Sequence, residues 1–151
     1  MKSEPQTFSW QDLEQRPKQT APWDGVRNYQ VRNFIRDTMQ IGEQAFFYHS
    51  SCATPAIIGI VKIISDAYPD PSAFDINSEY FDNKSNKENP RWLMRDVKLV
   101  RKLNREITLR ELKELSLTQK KLADFPLLKR GNRLSIIPLN KTIWTNILAL
   151  E

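Results

Sequence analysis

The apolar residues of this chain change their spacing several times, and each change predicts an element. Val31, Phe34, Ile35 and Met39 fall at i, i+3, i+4 and i+8, which is one face of a helix. They predict a helix from Tyr29 to Met39 that stops before Ile41-Gly42. Ser9, followed three residues later by Asp12, resembles a capping box and predicts a short helix just after it. The aromatic run Ala45-Phe46-Phe47-Tyr48-His49 predicts a strand. Ala56 to Ile64 is apolar on both faces, as a central strand requires, and Gly59 within it predicts a bulge or a close backbone approach. Trp92 to Val100 reads as a further strand, with charges at Arg95, Asp96 and Lys98. Thr108 and Glu111 form a capping box opening a helix over Leu109 to Leu115. Leu134 to Leu139 reads as the last strand. Asn140 then caps a final helix in which Ile143, Ile147 and Leu150 share a face.

Between these elements lies Asp66 to Arg91, which has no sustained periodicity and holds Pro69, Pro71 and Pro90. A long connection of this kind in a small protein is either a binding loop or the cover of a sheet edge. Short helices between strands, without a regular helix after each strand, argue against a doubly wound parallel sheet. The expected class is α+β, a small mixed sheet or barrel with peripheral helices. At 151 residues, with no repeat, low-complexity tract or linker, one domain spanning 1–151 is expected.

Charge changes this picture more than composition does. The chain carries a net charge of +5, unevenly placed. From Arg91 to Arg133 there are thirteen Lys/Arg against five Asp/Glu, a net of +8, so the remainder is acidic. Such a segment suits a polyanion partner, or is simply a set of solvated faces. No apolar run approaches a membrane span, and Met1-Lys2-Ser3-Glu4-Pro5 lacks the apolar core of a signal peptide. The single cysteine, Cys52, rules out an internal disulfide and fits a reducing compartment, cytoplasmic or, in a eukaryote, nuclear.

Candidate chemistry is sparse. His49 is the only histidine, so a histidine cluster for a metal is impossible. No signature of a nucleophile surrounds Cys52, and four glycines in the whole chain leave no Gly-rich phosphate loop. No catalytic residue, cofactor or metal is expected. Binding features are stronger. Residues Pro22 to Asn33 combine a tryptophan, an Asp-Gly turn, two arginines and two asparagines at the start of the predicted helix, where free N–H groups favour anions. Of four tryptophans, Trp10 and Trp144 read as core, whereas Trp23 and Trp92 stand beside proline and arginine at element boundaries. Rings in such places can stack on a base.

Six ordered motifs carry a resemblance. They are Met1-Lys2-Ser3-Glu4-Pro5, Trp23-Asp24-Gly25-Val26-Arg27-Asn28-Tyr29-Gln30, Phe47-Tyr48-His49-Ser50, Ala67-Tyr68-Pro69-Asp70-Pro71, Pro90-Arg91-Trp92 and Gly131-Asn132-Arg133-Leu134-Ser135. Together they closely resemble the EVE domain from Met1 to about Leu150. The resemblance implies a PUA-like small mixed β-barrel with flanking helices, similar to the YTH domain, which holds a methylated adenine in an aromatic cage. It implies a partner: a nucleic acid, DNA or RNA, carrying a modified base. By the same resemblance Ser3, Trp23, Val26, Arg27, Asn28, Tyr48, His49, Ser50, Trp92 and Ser135 line or border the base pocket. Trp23 is then a cage wall, Asn28, Ser50 and Ser135 bond base edges, and Arg27 and Arg133 meet phosphate or base. Asn28 as a plain helix cap and Asn132 as part of a turn are the bland alternatives. The family usually carries an aromatic-apolar segment before Lys-Ser-Glu-Pro, so the expectation here is either a short first strand or a true start upstream of Met1.

Three readings compete. The first is a non-enzymatic binder of a modified nucleobase, without membrane or metal and expected as a monomer. The second is an enzyme acting on such a base or on a nucleotide, with His49 as general base. The third is a small-molecule or protein-interaction module.

Overall fold

The computed structural model describes residues 1–151. Seven strands and five α-helices follow one another as β1 (Lys2–Ser3), α1 (Trp10–Gln15), β2 (Thr20–Pro22), α2 (Tyr29–Asn33), β3 (Gln44–His49), β4 (Ala56–Ile63), β5 (Tyr68–Pro69), β6 (Leu93–Met94), β7 (Asp96–Thr108), α3 (Leu109–Thr118), α4 (Lys120–Ala123) and α5 (Lys141–Leu148). Five strands form a mixed sheet in the order β1-β3-β4-β7-β2, and β5 pairs with β6 separately. The chain divides into two compact units. One holds residues 1–12, 46–60 and 100–151, the other 13–45 and 61–99.

In the first unit β1 runs parallel to the end of β3, with Lys2 opposite Tyr48 and Ser3 opposite His49. The capping box at Ser9 forms: the Asp12 N–H donates to Ser9 Oγ (3.1 Å) and the Ser9 N–H to Asp12 Oδ2 (2.7 Å). Helix α1 so begins at Trp10, whose ring is fully buried and meets Phe47 edge-on at 5.5 Å. The same ring occupies the space that a side chain at Gly59 would need. A Cβ there would lie 2.3 Å from Trp10 and 2.8 Å from the Arg101 carbonyl oxygen. The close approach expected at Gly59 is therefore its contact with this tryptophan. A core of Phe46, Tyr48, Ile57, Leu103, Ile107 and Leu112 continues through Leu122, Phe125, Ile143 and Ile147. Trp144 packs against it, stacked on Phe46 at 4.0 Å. Caps close both longer helices: Thr108 Oγ1 accepts from the Glu111 N–H at 3.1 Å, and Asn140 Oδ1 from the Ile143 N–H at 2.8 Å.

In the second unit β2 pairs antiparallel with the start of β7, with Ala21 opposite Val97. Val31 and Ile35 are buried on the helix that was expected over 29–39. That helix is regular only to Asn33, and Phe34–Thr38 form a π-helical turn. Arg95 is buried here and remains satisfied, donating to the Ile35 carbonyl (2.7 Å) and the Ser65 carbonyl (2.9 Å). The irregular region after Asp66 has local order. It contains β5 and a 3-10 turn at Pro71–Ala73.

Several expectations are corrected. The strand expected over 92–100 is broken at Arg95, and β7 then continues to Thr108. Leu103 and Ile107 are its buried residues in a charged, exposed stretch, so no apolar alternation marked the extension. Helix α3 runs three residues past Leu115, and α4 follows it unannounced. Leu134 to Leu139 is not a strand. Pro138 has no N–H to give a ladder; the Ser135 carbonyl accepts one bond from the Lys2 N–H (2.7 Å), and Ile136 alone is buried.

Gly59→Ala is expected to cost stability through overpacking, at least the ~1–3 kcal/mol of a forced core methyl. Paired with Trp10→Phe, which shortens the opposing ring, the loss should shrink. Thermal denaturation of the two variants and their combination measures this, and equal losses with either residue at position 10 would contradict it.

Candidate functional site

The residues implied by the motifs gather in two groups, one in each unit. In the second unit the group is built on the Asp24-Gly25 turn. Gly25 has φ +70°, and a Cβ there would lie 2.9 Å from the Tyr80 ring, so the turn needs glycine on both counts. Just beyond it, Asn28 caps α2, its Oδ1 accepting from the Val31 N–H at 3.1 Å. Capping uses the Asn28 oxygen and leaves its exposed amide NH2 as a donor.

Arg27 is the centre of this group. Its Nε donates to the Tyr80 carbonyl (2.7 Å), Nη1 to Asp70 Oδ2 (2.8 Å) and the Val26 carbonyl (2.9 Å), and Nη2 to Ser72 Oγ (3.0 Å). The guanidinium also lies 5.5 Å from the centres of both the Tyr80 and Trp92 rings. Asp70, with no exposed side-chain surface, accepts in addition from the Gly25 N–H (3.0 Å) and the Ser72 N–H (2.9 Å). Burial works against the Asp70 charge. The bonds from Ser72 and Arg27, the Arg27 charge and the Gly25 N–H outweigh it, and its pKa lies below the ordinary value. Asp24 moves the other way, raised by burial and by the nearby Asp70 charge.

Trp92 is held as firmly. Its indole N–H donates to Asp82 Oδ2 at 2.7 Å, and the same oxygen pairs with Arg91 at 3.3 Å. Tyr29 lies 5.0 Å from the Trp92 ring at a tilt of 32° and is itself 54% exposed. Trp23 and Trp92 are only 7% and 5% exposed. An open aromatic face at Trp23, as a cage wall needs, is absent: that ring and Val26 are covered in the folded chain. Asp70, Ser72, Tyr80, Asp82 and Tyr29 were not singled out from the sequence. The Asp-Pro pair at 70–71, which opens the 3-10 turn, was the available signal for Asp70.

In the first unit Ser3, His49, Ser50 and Ser135 meet around β1. The Ser50 N–H donates to the Ser3 carbonyl (2.8 Å), and Ser3 Oγ donates to the Phe8 carbonyl (2.6 Å). His49 Nε2 accepts from the Trp10 N–H (3.1 Å), and the ring meets Phe47 edge-on. That acceptor role fixes a neutral imidazole with its proton on Nδ1. Burial lowers the His49 pKa, and the charge of Glu106 opposes the shift. Tyr48 is a core residue, and burial pushes its hydroxyl up to about 12. Arg133 is exposed, and Cys52 is partly buried. No buried side-chain nitrogen or oxygen lacks a partner. No three His, Cys, Asp or Glu residues are placed to hold a metal, and no helix is long and apolar enough to cross a membrane.

The EVE domain family model matches residues 1–150, and the chain belongs to that family. It is 46% identical to thymocyte nuclear protein 1 of Homo sapiens and of Gallus gallus, over the whole chain and over 72% and 67% of those proteins. Among solved structures it is similar to human THYN1 protein in complex with 5-methylcytosine-containing DNA, at 45% identity and a TM-score of 0.95. That match covers 99% of this chain and 94% of the other. A Pseudomonas putida protein is similar at 44% identity and a TM-score of 0.90, covering 99% and 96%. The fold is thereby the α+β, PUA-like class that the motifs implied.

Two outcomes follow from the site itself. Arg27→Ala leaves the buried Asp70 carboxylate without its main charge partner and should cost about 3–5 kcal/mol of folding stability. Adding Asp70→Asn should restore part of it, as a double-mutant cycle in denaturant will show. For His49, the folded pKa lies below the unfolded value of 6.5. Its contribution is therefore complete above pH 6.5 and lost as pH falls toward the folded pKa. Denaturation at several pH values should show less of this loss in His49→Gln, whose amide oxygen still accepts from the Trp10 N–H; identical pH dependence in both proteins would refute it.

Proposed function

We propose that this chain is a non-enzymatic module that binds a modified nucleobase within a nucleic acid. The observation that carries the proposal is its likeness to the human protein solved with 5-methylcytosine-containing DNA, at 45% identity along nearly the whole chain. The first ligand to test is accordingly a DNA oligonucleotide with one 5-methylcytosine.

The chain's own groups suit such a role. Asn28 offers an amide donor, and Ser50 and Ser135 offer hydroxyls to a base edge. In the second unit the covered Trp23, Trp92 and Val26 frame Asn28, and in the first Ser3 and His49 border the two serines around β1. Tyr48 supports that group from the core, and Arg27 acts by fixing Trp92 and Tyr80. Arg133, exposed, meets phosphate. The module acts as one EVE domain over the full chain, as a monomer, in whichever compartment holds the nucleic acid.

An enzyme using His49 as general base fits the geometry poorly. Nε2 is already occupied by the Trp10 N–H, so accepting a proton there breaks a bond that secures the start of α1.

Anisotropy with labelled oligonucleotides of one sequence, differing in a single base, tests the proposal. The protein should prefer one modified base in DNA or RNA over its unmodified parent by fivefold or more, about 1 kcal/mol. Equal affinity for every modified and unmodified form would reject it. Because Trp23 is covered, Trp23→Ala should also destabilise, by about 3–5 kcal/mol. Trp23→Phe is the better probe: it keeps an apolar ring and should reduce the preference while the protein stays folded by circular dichroism.

A further inference from the structure

Residues 120–141 contain six Lys/Arg and one Asp, a net of +5 that equals the net charge of the entire chain. The fold treats these cations differently from the basic residues just before them. Arg101, Arg105 and Arg110 are each neutralised, by Glu151, Glu111 and Glu114 respectively. Lys120, Lys121, Lys129, Arg130, Arg133 and Lys141 are all exposed and enter none of the ion pairs. On β7 and α3 three of the six cations are paired, Lys98, Lys102 and Lys113 being the exceptions, whereas none of the six from Lys120 to Lys141 is.

The backbone that carries the free cations is well anchored. Leu122 is fully buried and Phe125 nearly so. Asn132 donates from Nδ2 to the Pro126 carbonyl (2.8 Å) and accepts at Oδ1 from the Leu134 N–H (2.9 Å), which fixes the turn between Arg130 and Arg133. Lys2 Nζ reaches the Asn132 carbonyl at 3.4 Å and adds a further charge beside that turn. A Cβ at Gly131 would meet nothing within 4 Å, so the turn is open on that side. Ordering the segment has been met by folding; the charged heads remain solvated and available.

We infer that residues 120–141 form a phosphate track, a surface that binds the sugar-phosphate backbone of a nucleic acid without reading its bases. This deepens the proposed function and rests on it. Six cations spread along some twenty residues suit a linear polyanion better than a single phosphate group. Arg130 and Arg133 present forked donors that match phosphate oxygens, and the lysines add point charges. Contacts of this kind position a nucleic acid and set its salt dependence, while base contacts set specificity.

The test compares Lys120→Gln/Lys121→Gln and Lys129→Gln/Arg130→Gln with Arg105→Gln/Arg110→Gln, whose arginines are already paired. Each protein, its fold verified by thermal melting, is titrated with 5-methylcytosine and cytosine duplexes at several salt concentrations. In the two track variants the slope of log affinity against log salt should flatten by about 0.9 for each phosphate that the protein no longer neutralises. Affinity should fall by the same factor for both duplexes, and the paired-arginine variant should keep the wild-type slope. An unchanged slope in both track variants overturns the inference, as does a weakening confined to the methylated duplex. Stronger wild-type binding to phosphatidylserine vesicles than to duplex, abolished in the track variants, would assign the surface to membranes and also overturn it. A wild type that binds duplexes without preferring any modified base, with flattened slopes in the variants, removes the modified-base reading and leaves the track standing. Failure to bind any duplex removes both.

Discussion

The ion pair between the partly exposed Arg27 and the buried Asp70 is the constraint on which the second unit's candidate site depends. Asp70 has no exposed side-chain surface, and a carboxylate so placed persists only with a charge partner and several donors. Arg27 and Ser72 meet that requirement together with the Gly25 N–H, and in doing so they tie the Asp24-Gly25 turn to the segment from Asp70 to Tyr80. Trp92 faces the same guanidinium, and Asp82 holds its indole N–H. A site made this way is set before a ligand arrives, because the side chains around it have partners within the protein. Preorganisation of this kind lowers the ordering cost of binding.

An arginine with four hydrogen bonds and two ring contacts has little capacity left for a phosphate, so Arg27 serves by positioning others. Asn28, which could have been a cap or a base contact, is at least a cap, and its free NH2 leaves room for both. His49 accepts a backbone N–H, which explains how a lone histidine is accommodated at reduced pKa.

Charge shows a parallel division. From Arg91 to Arg133 the sequence is strongly basic, yet Glu111 and Glu114 on α3 and Glu151 at the end of the sequence stand opposite three of its arginines. Exposed pairs like these add little stability. Their larger consequence is to cancel local field, so that the remaining positive potential concentrates on the segment after α3.

The sequence by itself determined the helix caps, the central strand and the family, because each is written in local spacing or in ordered motifs. Ser9 with Asp12, Thr108 with Glu111 and Asn140 needed only neighbours three residues away, and Ala56 to Ile63 announced a strand buried on both faces. What tertiary structure alone decided involves partners far along the chain. The length of β7 depended on Leu103 and Ile107 finding a core in a charged stretch, and Leu134 to Leu139 is no strand, its backbone bonding the Lys2 N–H and the Asn132 side chain. The covering of Trp23, the partners of Arg27 and the pairing of Arg101 with Glu151 were likewise set by such distant contacts. Local pattern reports what a segment can bury or cap, whereas charge partners and ring contacts exist only once the fold has chosen them.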